Sequence, residues 1–381
     1  ADQVKGAIIP SNNSDNYVAK GLGQSHNGIY GLGEWRELID KKTGEAYQIS
    51  SPGWAGAYPW INKHDKVYGF FISHVAGSSA KEDGFSSFFG SPVISRTVSE
   101  ILKGKPLVVK QGRINVGNGS LYYEEAGQGE PIIFVHGHSL DHRMWDEQFL
   151  VFAKKYHVIR YDLRGYGISS SQTEDYQFMH VEDLVTLMDS LHIKKAHIVG
   201  LSLGGFITAD MLAYFPDRML SAFLASGNIR KSKGPSEPMT KEEAKVRDDE
   251  IAALKKKGVE VMKKEWFEGL MKSGGSQRER MRVPLWQMID EWDAWQPLHK
   301  EVRVVAGLDA IEELKKSHPA VPALIVEGHS SDNKFSKNPP ILEYLPNGKL
   351  KIIEDCGHMM NMERPEEFNA ALEEFLINIE Q

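Results

Sequence analysis

The pentapeptide Gly200-Leu201-Ser202-Leu203-Gly204 follows an apolar, strand-like stretch, Ala196-His197-Ile198-Val199, and precedes a helix-like one at 206–214. In a G-x-S-x-G turn of this kind, the small flanking residues let the chain swing sharply from strand to helix and leave the serine hydroxyl exposed. The pattern is weak on its own; its placement between a strand and a helix gives it meaning. A hydroxyl is a poor nucleophile at neutral pH, so Ser202 needs a base, and imidazole has the pKa for that task. Among fourteen histidines, His358 in Asp355-Cys356-Gly357-His358-Met359 stands after the last strand-like run and before the final helix. It is expected to act as the general base.

The chain order that accompanies such a turn is serine, then acid, then histidine. Asp332, in Gly328-His329-Ser330-Ser331-Asp332, is therefore assigned the role of orienting His358. Glu327 at the strand end is the alternative, and Asn228 occupies another acid position without being ionisable. An oxyanion must be met by preorganised donors. The backbone amide of Leu203, just after the nucleophile, supplies one, and that of His138 in His136-Gly137-His138-Ser139 supplies the other. The His138 imidazole is expected to be that of a partner-satisfied turn histidine, with projection into the pocket as the alternative.

The elements that must carry these groups are visible as apolar runs. Strands are expected near 121–123, 131–135, 157–161, 196–201, 220–225, 323–326 and 350–353. Helical spacing links Val181, Leu184, Val185, Met188 and Leu191, and again Phe368, Leu372, Phe375 and Leu376. Alternation of short strands with amphipathic helices predicts an α/β fold with a mainly parallel sheet covered on both faces. Between about 229 and 305 the alternation stops, and a charged, helical insertion in the position of a lid takes its place. The lysines and glutamates of 241–264 are assigned to one solvated helix face. Trp266, Trp286, Trp292 and Trp295 either form the insertion's own small core or line an apolar pocket; Trp286, Trp292 and Trp295 are the candidate pocket residues.

The chain has 381 residues, which predicts two domains, and a boundary is expected at 103–106, giving segments 1–105 and 106–381. The first segment is rich in glycine, serine and aromatics, with strand-like runs such as 57–61 and 69–75 and little helix. A net charge of −7 creates no strong field and suggests neither nucleic acid nor an acidic partner. No apolar run approaches the roughly 20 residues needed to cross a bilayer, so a soluble protein is expected. The one cysteine, Cys356, cannot form an internal disulfide. The start at Ala1 fits a removed signal peptide, a proteolytic start or a chosen boundary equally, and leaves the compartment open.

Val135-His136-Gly137-His138-Ser139-Leu140-Asp141-His142-Arg143-Met144-Trp145, the Tyr161-Asp162-Leu163-Arg164-Gly165-Tyr166-Gly167 turn, the G-x-S-x-G turn and Cys356-Gly357-His358 together resemble the α/β-hydrolase superfamily. The resemblance spans about 112–380 and is strongest to bacterial esterases, perhydrolase-like enzymes and enol-lactonases. That group shares an H-G-x-P-L-D-x-x-M-W loop, in which Ser139 here replaces the proline. The acid loop also departs from the common G-x-x-D spacing by one residue. The 162–167 segment is assigned a structural role. The first hundred residues, through Tyr30-Gly31-Leu32-Gly33 and Ser51-Pro52-Gly53-Trp54, resemble the C-terminal part of the serine β-lactamase and penicillin-binding-protein-like family. Ser51-Pro52-Gly53 stands where that family carries K-T-G or H-x-G, without the basic residue, and the tyrosine partner motif is absent, so a non-catalytic module is expected.

The resemblance implies hydrolysis of a small carboxylic ester or lactone through an acyl-enzyme, with no metal or organic cofactor. A perhydrolase or carbon–carbon hydrolase variant is compatible with the same scaffold. The alternative from another class is a hydrolase-fold sensor with little turnover. A dehalogenase would place an aspartate where Ser202 stands. Unpaired edges of the N-terminal sheet call for a covering partner, either another segment or a second copy.

Overall fold

The computed structural model describes residues 7–8, 29–31, 34–39, 46–50, 57–63, 66–72, 108–171, 173, 176, 178–227, 229, 240–299, 310–331 and 339–379. The chain divides into two compact units, Ala1–Pro106 and Leu107–Gln381.

The first unit is an antiparallel sheet of strands in sequence order: β1 (Ala7–Ile8), β2 (Ile29–Gly31), β3 (Glu34–Ile39), β4 (Ala46–Ser50), β5 (Ala57–Asn62) and β6 (Val67–Ile72). In the β5–β6 hairpin Trp60 stands opposite Gly69, and its ring covers the glycine so closely that a Cβ there would lie 2.2 Å from it. Side chains alternate between faces with the two-residue period of a strand. Trp60 and Asn62 are buried, whereas Ile61, Tyr68 and Phe70 are exposed. The Ser51-Pro52-Gly53 run lies outside the described residues.

The second unit is built on an eight-stranded sheet. Its strands are β7 (Lys110–Val116), β8 (Gly119–Ala126), β9 (Pro131–Val135), β10 (His157–Tyr161), β11 (Ala196–Leu201), β12 (Met219–Ala225), β13 (Ala323–His329) and β14 (Gly348–Glu354). The spatial order is β14-β13-β12-β11-β9-β10-β8-β7. The β7–β8 hairpin is antiparallel and pairs antiparallel with β10; the six strands from β9 to β14 run parallel. Parallel strands are covered on both faces and so read as continuous apolar runs. Every residue of β11 is buried.

The longer helices of the unit among the described residues are α1 (Asp146–Phe152), α2 (His180–Ser190), α3 (Leu203–Tyr214), α4 (Lys241–Lys257), α5 (Val259–Ser273), α6 (Arg282–Glu291), α7 (Ala310–Ser317) and α8 (Pro365–Ile379). One core cluster joins Ile133, Ile198, Ile325, Leu184 of α2 and Leu212 of α3. The other joins Phe134, Val199, Phe223, Phe149 of α1 and Phe368 of α8. These two clusters are the opposite faces of the sheet, since alternate residues of each strand supply them. The 162–167 turn is held by Arg164, which is buried and forms two parallel bonds to Asp183 of α2 at 2.9 and 2.7 Å. Arg164 also donates to the Val116 carbonyl at 3.0 Å, closing β7 over the turn.

Helices α4 to α6 lie between β12 and β13. Thr240 and Glu243 form a reciprocal capping box that starts α4, satisfying donors the first turn cannot bond internally. The lysine-rich stretch is not one helix: Gly258, at φ 97°, breaks it into α4 and α5. Lys263 also departs from the solvated face expected of its neighbours. It is buried and donates at 2.7 Å to the Asp290 carbonyl near the end of α6, where carbonyls lack intrahelical partners.

Candidate active site

Ser202 joins β11 to α3 at φ 56° and ψ −111°, a conformation that a non-glycine residue keeps only where its surroundings impose it. Its amide donates to the Ala225 carbonyl at 2.9 Å. The flanking glycines are required by close backbone approach: a Cβ at Gly200 would meet the Gly204 carbonyl oxygen at 2.1 Å, and one at Gly204 would meet the Val135 oxygen at 2.0 Å. The serine side chain is only half-buried. Leu203 opens α3, so its amide has no carbonyl four residues back to bond.

The loop after β9 passes over this turn. A Cβ on Gly137 would sit 3.5 Å from Ser202 Cβ. The loop is braced by His136, fully buried, whose Nε2 accepts the Leu163 amide at 2.9 Å while Nδ1 donates to the Gly137 carbonyl at 2.8 Å. Burial lowers the His136 pKa, which suits that neutral pairing. The His138 imidazole is partnered in place: Nδ1 and the Tyr166 hydroxyl are 2.7 Å apart. The rings of Trp292 and Trp266 meet it edge-on at 4.9 and 6.0 Å. Ser139, at φ 64°, donates its hydroxyl to the His138 carbonyl at 2.6 Å and accepts the Trp266 indole N–H at 2.7 Å.

His358 follows β14 at the same edge of the sheet. Its carbonyl accepts the Ser226 hydroxyl at 3.4 Å, and Ser226 is the residue after the Ala225 that receives the Ser202 amide. Ser202 and His358 thus flank the end of β12. The end of β13, the His358 loop and the end of α5 meet backbone to backbone: a Cβ on Gly328 would lie 2.2 Å from the Gly357 oxygen, and one on Gly357 would lie 2.5 Å from the Ser273 oxygen. Burial lowers the His358 pKa, keeping the ring neutral, as a base must be. Asp332 and Asn228 lie outside the described residues. Glu327, at the end of β13, has its carboxyl pushed up to about 7 by burial.

The four tryptophans of the insertion divide. Trp266 and Trp292 reach the loop after β9, as above. Trp286 packs on Phe267 with centroids 5.2 Å apart, inside the insertion, and Trp295 stacks on His299 at 4.5 Å. A cavity of about 420 Å³ shares Tyr166 and Trp292 with the surroundings of His138 and is otherwise lined by Tyr122, Leu140, His142 and Glu291, among others. Asp141, His142 and Asp162 bring ligand-type atoms within 4.8 Å of one another. Their oxygens are already engaged: Arg143 grips Asp141, while Asp162 accepts the His142 amide, the His142 ring and the Ile168 amide. That trio is a hydrogen-bonded hub rather than an open set of metal donors.

Two features of the site escape motif reading. Glu363, fully buried, binds amides of two different loops, and no local pattern marks it. The other is the Trp266–Ser139 bond, which joins residues 127 positions apart and has no local signal.

A parallel sheet, a strained serine between strand and helix, and a histidine loop at the same sheet edge define the α/β-hydrolase class. The chain belongs to the Alpha/beta hydrolase family, whose profile matches residues 132–371. Among curated proteins it is 24% identical over 264 residues to (E)-2-((N-methylformamido)methylene)succinate hydrolase of Acinetobacter baylyi, covering 68% of this chain and 95% of that one. It is 25% identical to 3-oxoadipate enol-lactonase 2 of the same organism, covering 67% and 92%. Among solved structures, Est816, described as an N-acyl homoserine lactone degrading enzyme, is 28% identical with a TM-score of 0.52, covering 69% of this chain and all of that one. An esterase from Thermogutta terrifontis, 22% identical with a TM-score of 0.55, covers 71% and 100% and shares the fold. Among the described residues no helix is long and apolar enough to cross a membrane.

Proposed function

We propose that this hydrolase cleaves small carboxylic esters or lactones through a serine-bound acyl intermediate. The observation that carries the proposal is the Ser202 turn: a strained, half-buried serine under a glycine loop, with the His358 loop anchored beside it on the same strand end. Ser202 Oγ attacks the carbonyl carbon while His358 takes its proton. The negative oxygen that forms is met by the amides of Leu203 and His138, the first an unpaired donor at a helix start. His358 then protonates the departing alkoxide, and a water deprotonated by the same ring releases the acid. Asp332 orients His358 in this scheme, and the 240–299 helices act as a lid whose Trp266 and Trp292 border the acyl site. The enol-lactonase and lactone-degrading relatives favour lactones and short esters within this class.

The six-stranded N-terminal sheet is assigned a non-catalytic role, since Ser51-Pro52-Gly53 stands where the similar β-lactam-binding serine enzymes carry a basic residue. Fluorescent penicillin is expected to leave the protein unlabelled.

Turnover of a panel of nitrophenyl esters and lactones of graded size tests the main proposal. Wild type is expected to prefer short acyl groups, and Ser202→Ala to lose about 10⁴-fold or more in kcat. Equal rates for the two proteins on every substrate would sink it.

A further inference from the structure

Ser139, in the loop after β9, sits at φ 64°, fully buried, with a hydroxyl that bonds on both sides. It accepts the indole N–H of Trp266, 127 positions away on α5, and donates to the carbonyl of His138. The His138 ring is held independently by Tyr166. His138 is therefore gripped at its carbonyl and at its side chain, while the Gly137 carbonyl, in the same peptide plane as the His138 N–H, is held by His136.

We propose that Trp266 and Ser139 are positioning residues through which the helical insertion sets the oxyanion donor: the His138 amide is aligned when α5 is seated and its indole N–H reaches Ser139. The inference rests on the reading above that the His138 amide meets the oxyanion. Here the loop is tied to α5, which packs Phe267, Leu270 and Met271 into the core beside the sheet, so the seating of the insertion and the placing of the oxyanion donor are coupled.

The test compares Ser139→Ala, Trp266→Phe and the double variant, using an ester that wild type turns over and Ser202→Ala does not. Trp266→Phe keeps an aromatic ring and removes only the N–H donor together with part of the indole. Each single variant is expected to lose about 10-fold in kcat, a partial version of the loss seen when an oxyanion donor is removed outright. KM should change by less than about 3-fold. The double variant should be no worse than the poorer single, because both remove the same bond. Affinity for a boronic acid that forms a tetrahedral adduct on Ser202 should fall with kcat, while product inhibition stays unchanged; a merely structural role would move neither in this way. Wild-type kcat in Trp266→Phe, or losses that multiply in the double variant, would overturn the inference. If Ser139→Ala proves unstable, Trp266→Phe with the boronic acid decides alone. Absence of Ser202-dependent turnover in wild type would instead remove the hydrolase reading, and this inference with it.

Discussion

Glu363 accepts the amide of Gly357, the residue before His358, at 2.8 Å with one carboxylate oxygen, and the amide of Gly275 at 2.6 Å with the other. A fully buried carboxylate is costly unless its lone pairs are used. Here they tie the histidine loop to the turn that follows α5. Glu363→Gln keeps the shape but turns an NH₂ group toward one of two backbone donors. The expected result is a stability loss of about 1–3 kcal/mol. Because the histidine loop shifts, a kcat loss of about 10–100-fold is also expected well below the unfolding temperature. KM should hold within about 3-fold. Wild-type kcat with reduced stability would assign Glu363 a purely structural role.

The acid that orients His358 is open to direct comparison. A carboxyl with a pKa near 7 is substantially protonated at neutral pH and makes a poor counter-charge for an imidazolium, which argues against Glu327. Asp332→Asn is expected to lower kcat by about 10⁴-fold, the scale on which loss of the orienting carboxylate acts in serine hydrolases. Glu327→Gln should leave kcat near wild type at pH 8. The reverse pattern would move the assignment to Glu327.

The strands were legible because parallel strands buried on both faces leave unbroken apolar runs: 131–135, 157–161 and 196–201 have the bounds seen in β9, β10 and β11. The G-x-S-x-G turn was legible because its glycines answer to steric demands that any side chain would violate. What stayed hidden depends on distant segments converging. Glu363 owes its role to loops 88 and 6 positions away, and Ser139 to an indole 127 positions away. The break at Gly258 was hidden for another reason: lysine and glutamate are good helix formers on both sides of it, and one glycine within such a run costs only about 1 kcal/mol.

Burial also sets the pH at which the base works. His358 is neutral above its pKa, and burial lowers that pKa below the ordinary imidazole value of about 6.5. Neutral base therefore persists into more acidic solution than a free imidazole would allow. The acid limb of kcat/KM for the free enzyme is expected to have its midpoint below about 6.5. A midpoint above that value would show that a nearby carboxylate outweighs burial, and Asp332→Asn should then bring it down.

A second histidine gives a prediction about folding rather than chemistry. His180 opens α2, is fully buried, and neither ring nitrogen has a hydrogen-bond partner. Its ring lies edge-on to Phe178 at 5.2 Å, and burial, with His136 and Arg164 adding to it, lowers its pKa to about 3. Unfolded, the same group titrates near 6.5. Above that pH the ring is neutral in both states and stability does not depend on it. As pH falls below it, the unfolded chain takes up a proton that the folded one refuses, and stability drops by about 1.4 kcal/mol per unit until pH nears 3. His180→Phe removes that linkage. At pH 7 the variant's sign is set by opposing effects, relief of unsatisfied nitrogens against a larger ring in a packed site. Between pH 7 and pH 5, however, the variant should gain about 2 kcal/mol relative to wild type, because packing does not titrate and the other histidines cancel in the difference. Urea unfolding of both proteins at the two pH values measures it, and a gap that stays constant would falsify the assignment of His180 as a neutral, unpartnered core histidine.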